Sequence, residues 1–501
     1  MTLLQEKCGI VGIFAPGYRK QLQTALAMAS GVQHRGQQGA GIVMKTTSGF
    51  KKHVGDGILK IVFTPQRIKA FDFPSLWTLV HCRYGTYGGY LSRNLQPCII
   101  KTKSKEMLAV VHNGEFAAIP KIRMKIRGEI PEDASDTYLF TQMLAQFPGT
   151  DWDRKIMSAV SEVSGAFSMM IGIGDVLYII RDSHGIRPLF IGKLKNQGYL
   201  IASETHAFEK VHAQVLREVN KGEIIKIDKK RITRIRKGTP GLGNFCDFEW
   251  AYFSRPDSLF PVNIDKNKAA DSVEWLSTAV FRERCGEILA QEAPLPKANF
   301  IVGVPDSGVN VAIGYAKALK LPYRQVLLRD HFDINGDQRL FMRDDDMSHI
   351  KTKVLGKISF VPDKSIWKDA VVVLGDDSIV RGNVSEKITG AVFALGAREV
   401  HWIVGFPPVT YPCHLGVSMR TGKELIAREN NSDPIKIAKA IGATSVNYIS
   451  PKGFIQAKFG SNKIIYPKDE LDIFLVNGGC GGCLTGRFPV AKDGTAYESN
   501  L

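Results

Sequence analysis

The stretch Cys8-Gly9-Ile10-Val11-Gly12-Ile13-Phe14 decides how the first half of the chain is read. It is a short apolar run with two glycines, and a cysteine in such a run is most often a small buried hydrophobe. A second reading is chemical. If the chain is cut between Lys7 and Cys8, one residue carries both a thiol and a free α-amine. An α-amine titrates at about 7.7–8.0, so it can take the thiol's proton near neutral pH without a partner histidine. What the rest of the chain supplies decides between the two.

Downstream, short β-rich runs alternate with glycine turns, which predicts strands over 78–81, 108–112, 166–173, 176–181 and 189–192. Helices are expected over 21–30 and 136–146, the second capped by Ser135 or Asp136. The pattern implies layered sheets with helices outside. Polar clusters fall at the ends of these elements: Gln33-His34-Arg35-Gly36-Gln37-Gln38, His81-Cys82-Arg83-Tyr84-Gly85-Thr86, His112-Asn113-Gly114 and Ser135-Asp136-Thr137. Singly, Asn-Gly is a turn and Ser-Asp-Thr a helix cap. Jointly they supply what an amide hydrolase needs. Arg83 can grip a carboxylate, Asp136 can hold an ammonium, and Asn113 with the Gly114 N–H can stabilise an oxyanion.

The second half has a different rhythm. An aromatic-rich stretch, Cys246-Asp247-Phe248-Glu249-Trp250-Ala251-Tyr252-Phe253-Ser254-Arg255-Pro256-Asp257-Ser258, reads as a packed linker, and a helix is expected over 266–291. Apolar strands then alternate with helices through 300–304, 310–319, 370–374, 385–395 and 400–404, which argues a parallel sheet covered on both faces. Within it, Val371-Val372-Val373-Leu374-Gly375-Asp376-Asp377-Ser378-Ile379-Val380-Arg381-Gly382-Asn383-Val384-Ser385 runs from a buried strand through two carboxylates into a polar turn and a helix start. Backbone N–H groups at such a turn hold phosphate, and the aspartates suit ribose hydroxyls, Mg²⁺ or a developing positive charge on a sugar. Ligands of open parallel sheets sit at this end of the strands.

The 501 residues, 44% hydrophobic, suffice for a full core and two domains. No segment approaches the ~18–20 unbroken apolar residues of a membrane span. Residues 1–7 are too short and polar for a secretory signal, so a cytoplasmic address is expected. The net charge of +17 gathers in short runs at 101–105, 121–127 and 229–237. No stacking aromatics are interleaved with these runs, so a solvated basic surface, or attraction for phosphorylated small molecules, is favoured over nucleic acid. Eight cysteines in such a chain are not a disulfide framework, and only Cys480-Gly481-Gly482-Cys483 has close metal-type spacing.

The residues from Cys8, through His34-Arg35-Gly36-Gln37, Arg83, Asn113-Gly114 and Ser135-Asp136, resemble the glutaminase domain of the N-terminal-nucleophile amidotransferases. The run Arg181-Asp182-Ser183-His184-Gly185-Ile186-Arg187-Pro188-Leu189 and Ala202-Ser203-Glu204 also look like that family. The 371–385 stretch resembles the phosphoribosyl-diphosphate loop of type I phosphoribosyltransferases. With Gly303-Val304-Pro305-Asp306-Ser307-Gly308 and the 252–258 stretch, the joint pattern resembles the amidophosphoribosyltransferase family over nearly the whole chain.

That resemblance implies an αββα glutaminase sandwich over 8–245 after a self-removed propeptide, 1–7. A phosphoribosyltransferase parallel-sheet domain with a C-terminal extension would follow over 246–501. It implies Cys8, Asn113 and Gly114 as catalytic, and Arg83, Thr86 and Asp136 as glutamine-binding. Asp376, Asp377, Ser378, Arg381, Gly382 and Ser385 would bind phosphoribosyl diphosphate, and Ser307, Asp376 and Asp377 would take Mg²⁺. One subgroup of the family carries a 4Fe–4S cluster, and its motifs match Cys246, Cys413, Cys480 and Cys483. Zinc is the competing occupant of four thiolates. The family also implies a homotetramer and purine nucleotide inhibitors.

Two departures stand out. Where the family's phosphate loop continues with two threonines, this chain has Asn383-Val384, which removes a hydroxyl donor. The family's basic mobile loop corresponds here to 329–346, a longer stretch rich in aspartate. Three functions are therefore weighed. The first makes 5-phosphoribosylamine from glutamine and phosphoribosyl diphosphate at the opening of purine synthesis. The second is a diverged paralogue with a working glutaminase and altered or lost phosphoribosyl transfer. The third is a basic nucleic-acid-binding protein on an inactive scaffold.

Overall fold

The computed structural model describes residues 8–84, 94–195, 198–239, 243–263, 274–329, 358–419, 421–460 and 463–497. Residues 1–7, Thr86 and 330–357 lie outside them, so the expected propeptide, one of the expected glutamine-binding residues and nearly all of the altered loop are not described.

The stretch that opens at Gly9 becomes a central strand, Gly9–Lys20. It pairs antiparallel with Pro74–Arg83 on one side and Gly198–Ala202 on the other, Gly9 opposite Cys82 and Val11 opposite Ala202. It sits fourth in a seven-stranded antiparallel sheet whose outer strands are Gln214–Glu218 and Gly49–Asp56. A second antiparallel sheet of six strands is built around Met107–Phe116, Gly165–Ile173 and Val176–Arg181. The alternation of side chains along a strand sorts the residues into layers. In Met107–Phe116, Ala109 and Val111 face the first sheet, joining Ile10, Phe14, Trp77 and Met170 in the space between the sheets. Leu108 and Val110 face the other way, against Leu139, Phe140 and Leu144 of the helix Asp136–Gln146 and Ile156 of Trp152–Ser161. The helix Leu22–Gly31 covers the far face of the first sheet through Leu22, Ala25, Met28 and Ala29. Helix, sheet, sheet, helix is the αββα order expected.

Local signals act where they were read. Asp136–Gln146 is a helix with those bounds, and the Ser135 hydroxyl accepts the Tyr138 N–H at 3.2 Å as its N-cap. One expected element is corrected. Where the helix expected over 266–291 is described it runs Thr278–Glu292, capped by Ser277 through the Val280 N–H at 3.2 Å, and 266–273 lie outside the described residues. Glu274–Ser277 is instead a strand, paired with Leu259–Asn263.

In the second half, four parallel strands lie in the order Phe300–Gly303, Val371–Asp376, Glu399–Val404 and Ser445–Tyr448. The last of them was not expected from the sequence. Val302, Val372, Leu374, Val400 and Trp402 face one apolar layer with Trp367 and Ile388. Ile301, Val371, Val373 and Ile403 face the other, with Phe281, Leu289 and Tyr315. Burial on both faces explains why these strands read as unbroken apolar runs. The linker is as buried as the sheets: Phe248, Trp250 and Phe253 are inaccessible or nearly so, and Phe248 packs edge-on against Phe406 at 5.1 Å between ring centroids. One apolar cluster thus runs from Phe190 and Phe208 in the first half to Phe281 and Phe454 in the second.

Candidate active site

Cys8 sits at the start of the central strand, and a small cleft beside it is lined by Cys8, Arg83, Tyr84, Gln96, His112, Gly114, Ser135 and Asp136. The two sheets and one helix start meet here. Arg83 ends the strand Pro74–Arg83, Gly114 lies in the facing sheet, and Asp136 is the first residue of the capped helix. Cys8 Sγ is 3.6 Å from the Tyr84 carbonyl oxygen. Asn113 is fully buried between the sheets, its Nδ2 3.4 Å from Ser203 Oγ, and the same hydroxyl accepts the Ile10 N–H at 3.1 Å. Ser203 therefore ties the oxyanion candidate to the strand that follows Cys8. Gly114 has φ +140°, and a Cβ there would run into the Ala166 carbonyl of the neighbouring strand. Only glycine fits at that point.

Asp136 keeps its carboxylate aimed by accepting the Thr137 N–H at 2.7 Å and the Phe116 N–H at 3.3 Å. Arg83 is buried and donates to the Asn94 carbonyl. Gln96 and His112 escaped sequence reasoning. Gln96 accepts the His112 N–H at 2.7 Å and donates to Thr137 at 2.9 Å, and His112 Nδ1 lies 3.1 Å from the same hydroxyl. Their function is to lock the strand carrying Asn113 and Gly114 to the helix carrying Asp136. The clue was the histidine before Asn113-Gly114, which reads as an ordinary buried residue without a partner in view.

The second cluster lies at the carboxyl ends of the parallel strands. Asp376 ends Val371–Asp376, and Ser307 precedes the helix Gly308–Leu319. Ser307 donates to Asp377, which also accepts the Ser378 hydroxyl at 2.7 Å, while Asp376 accepts the Asp377 N–H at 2.9 Å. Both carboxyls are buried. Burial pushes them above the usual range, and the charge of Asp377 raises Asp376 further. The turn continues through Gly382 at φ +78°, the N-cap of Asn383–Ala394, where a Cβ would meet Ile426 Cδ1 at 2.5 Å. Arg381 is committed to Glu424, its Nε 2.9 Å from the carboxylate, a partner 43 residues away that the sequence did not suggest. Ser385 is buried in the first turn of the helix. Val384 packs partly buried against the apolar layer that holds Ile388, so it takes a packing position.

Cys246, Cys480 and Cys483 are buried and Cys413 is half-buried. They lie close enough for their thiolate charges to repel one another. Burial lifts Cys246 to about 12 against the opposing charge of Arg187, and burial followed by the neighbouring cysteines lifts Cys480 and Cys483 well above the usual thiol range. Cys413 Sγ accepts backbone N–H groups from Leu415 at 3.3 Å and Val417 at 3.5 Å. Among the described residues no three His, Cys, Asp or Glu side chains are drawn together tightly enough to hold a metal ion. Thiols are the donor type of an iron–sulfur or a zinc centre, and the two N–H groups on Cys413 Sγ are of the kind that stabilise a thiolate. Among the described residues no helix is long and apolar enough to cross a membrane.

These features define a class: a glutaminase with a cysteine at a strand start, joined to a phosphoribosyltransferase-type parallel sheet. Residues 89–210 match the family model described as a glutamine amidotransferase domain. The amidophosphoribosyltransferase of Homo sapiens is 33% identical over 534 aligned residues, covering 97% of this chain and 98% of that protein. That of Bacillus subtilis is 30% identical, covering 97% and 94%. Among solved structures, glutamine phosphoribosylpyrophosphate amidotransferase from B. subtilis, complexed with ADP and GMP, superposes with a TM-score of 0.82 at 30% identity over 99% of both chains. The chain belongs to the amidophosphoribosyltransferase family. The similarity runs through both halves, and nothing in it favours the altered-transfer or nucleic-acid alternatives.

Proposed function

We propose that this chain forms 5-phosphoribosylamine, glutamate and diphosphate from glutamine and phosphoribosyl diphosphate, the opening step of purine synthesis. The observation that carries the reading is the convergence of Cys8, Arg83, Gly114 and Asp136 on one cleft, in a chain whose parallel sheet ends in Asp376-Asp377. The glutaminase would occupy 8–245 and the transferase 246–501.

Cys8, freed at its amine, attacks the side-chain amide carbon of glutamine while its own α-amine takes the thiol proton. Arg83 grips the substrate carboxylate and Asp136 its ammonium, with Thr86 assisting. Asn113 Nδ2 and the Gly114 N–H are the donors assigned to the charge that develops on the amide oxygen. Ammonia leaves, water hydrolyses the thioester, and ammonia then attacks C1 of the sugar as diphosphate departs. At the second site the turn 378–385 holds the 5′-phosphate through backbone N–H groups and the hydroxyls of Ser378 and Ser385, with Gly382 giving the turn its shape. Arg381, held by Glu424, fixes that turn in place. Ser307, Asp376 and Asp377 supply the oxygen donors that would hold Mg²⁺, which when bound neutralises charge on the leaving diphosphate. The test is diphosphate release from phosphoribosyl diphosphate, with glutamine and separately with ammonia. Release with both is expected; release with neither, beside intact glutaminase activity, would sink the proposal.

Cleavage between Lys7 and Cys8 is part of the proposal. It gives Cys8 the free α-amine that takes the thiol proton. Intact-mass measurement of active protein is expected to show Cys8 as the first residue, and full activity with residues 1–7 attached would refute it. The four cysteines would hold a 4Fe–4S cluster. Anaerobically purified protein is expected to be brown with about four irons per chain, whereas colourless protein with stoichiometric zinc would replace that assignment. A cytosolic address goes with this reading, in which the cysteines serve as nucleophile and cluster ligands and not as disulfides. Assembly as a homotetramer and inhibition by purine nucleotides complete the proposal, the latter supported by the ADP and GMP bound to the B. subtilis relative.

A further inference from the structure

Cys8 is reached by a chain of buried charges that begins in the other half of the molecule. Arg35 is inaccessible, and its Nε lies 3.4 Å from the Cys8 carbonyl oxygen. Its Nη1 is 2.5 Å from Glu204 and 2.9 Å from Glu249, and its Nη2 is 2.6 Å from Glu249. Glu249, in the linker, also accepts from Arg187 Nη1 at 3.0 Å, and Arg187 Nη2 donates to the Leu415 carbonyl at 3.0 Å. Glu204 is held in turn by His34 at 2.9 Å and the Ser258 hydroxyl at 2.6 Å. Two guanidinium groups balance two carboxylates, all of them shut away from water. Burial pushes both carboxyls upward, yet the cations beside them hold both below the ordinary range.

Adhesion between the halves does not call for this arrangement, because a continuous apolar cluster already joins them and a buried ion pair adds little over apolar packing. What the network offers is a fixed direction. A nucleophile that is the first residue of its chain is tethered only through its carbonyl side. Rotation about the Gly9 N–Cα bond would turn the whole Cys8–Gly9 peptide plane and swing the thiol and the amine together away from the substrate. A donor on the carbonyl oxygen stops that rotation. We propose that Glu249 is a positioning residue for the glutamine reaction: it clamps Arg35 onto the Cys8 carbonyl and, through Arg187 and Leu415, sets that clamp from the transferase half. The inference rests on the reading of Cys8 as the terminal nucleophile.

The test uses the mature full-length protein and the variants Glu249→Gln and Arg187→Met. Three rates are read: glutamine hydrolysis resolved into kcat and KM, ammonia-dependent diphosphate release, and alkylation of Cys8 by iodoacetamide. Misalignment at a reacting centre predicts a fall in kcat for glutamine of about tenfold or more. KM and the ammonia-dependent rate are expected to stay within about twofold, and alkylation to slow. Unchanged kcat in both variants would overturn the proposal, as would a parallel loss of the glutamine- and ammonia-dependent rates. Should Glu249→Gln fail to fold, Arg35→Lys keeps a cation beside Glu249 but lacks the Nε donor, and an unchanged kcat there is equally fatal. Absence of glutamine hydrolysis in the unaltered protein is a different result, and rejects the assignment of Cys8 instead.

Discussion

Cys8→Ala is expected to lower glutamine-dependent diphosphate release by at least about 10⁴-fold, the scale on which loss of a nucleophile acts when its partners remain. The ammonia-dependent reaction should stay within about twofold of the unaltered protein, since free ammonia enters at the sugar and bypasses the thioester. The asymmetry is the informative part. Cys8 lies at the start of a strand held by Cys82 and Ser203 on either side, and its side chain is small, so removing the sulfur leaves little cavity. A loss confined to glutamine is therefore chemical. Assays of both nitrogen sources on one preparation decide it. A glutamine-dependent rate within tenfold of normal would remove Cys8 from the mechanism, and a parallel fall with ammonia would mean that the substitution had damaged the fold.

What the sequence disclosed depended on the distance over which each feature acts. The helix Asp136–Gln146 and its Ser135 cap are written in four consecutive residues and their spacing, and they appear as read. The strand before Asp376-Asp377 is an apolar run bounded by a turn, equally local. Glu274–Ser277 was misread as helix because Trp275 and Leu276 extend the apolar spacing of the helix that follows, whereas its strand pairing depends on Leu259–Asn263. The site residues Cys8, Arg83, Gly114 and Asp136 were legible as a set through resemblance, and they line one cleft. The groups that aim them were not. Arg35, Arg187, Glu204 and Glu249 meet only after folding, and Arg381 finds Glu424 from 43 residues away. In the sequence Arg35, Arg187 and Glu204 stand in separate motifs and Glu249 in the linker, with nothing to pair them. A buried ion pair has no periodicity to betray it.

Asp376→Asn is expected to separate the two halves in the opposite sense. Diphosphate release should fall by about 10²–10³ with either nitrogen source, the usual cost of deleting one preorganised charged group that meets developing charge. Glutamine hydrolysis should stay within a few-fold, because Asp376 lies on the parallel sheet and takes no part in lining the Cys8 cleft. The substitution is close to isosteric, and the amide oxygen can still accept the Asp377 N–H now bound at 2.9 Å. It also relieves a pair of adjacent buried carboxyls that burial and mutual repulsion push above their ordinary range. A carboxyl whose folded pKa is raised weakens the fold once pH exceeds its unfolded value of about 3.9, and that penalty disappears with the charge. Measured at pH 7 without divalent cation, the melting temperature should therefore hold or rise while transfer collapses. Loss of activity with a lowered melting temperature would instead mark Asp376 as a structural residue. Full transfer with either nitrogen source would show that Asp376 is not needed to hold Mg²⁺ at the leaving diphosphate.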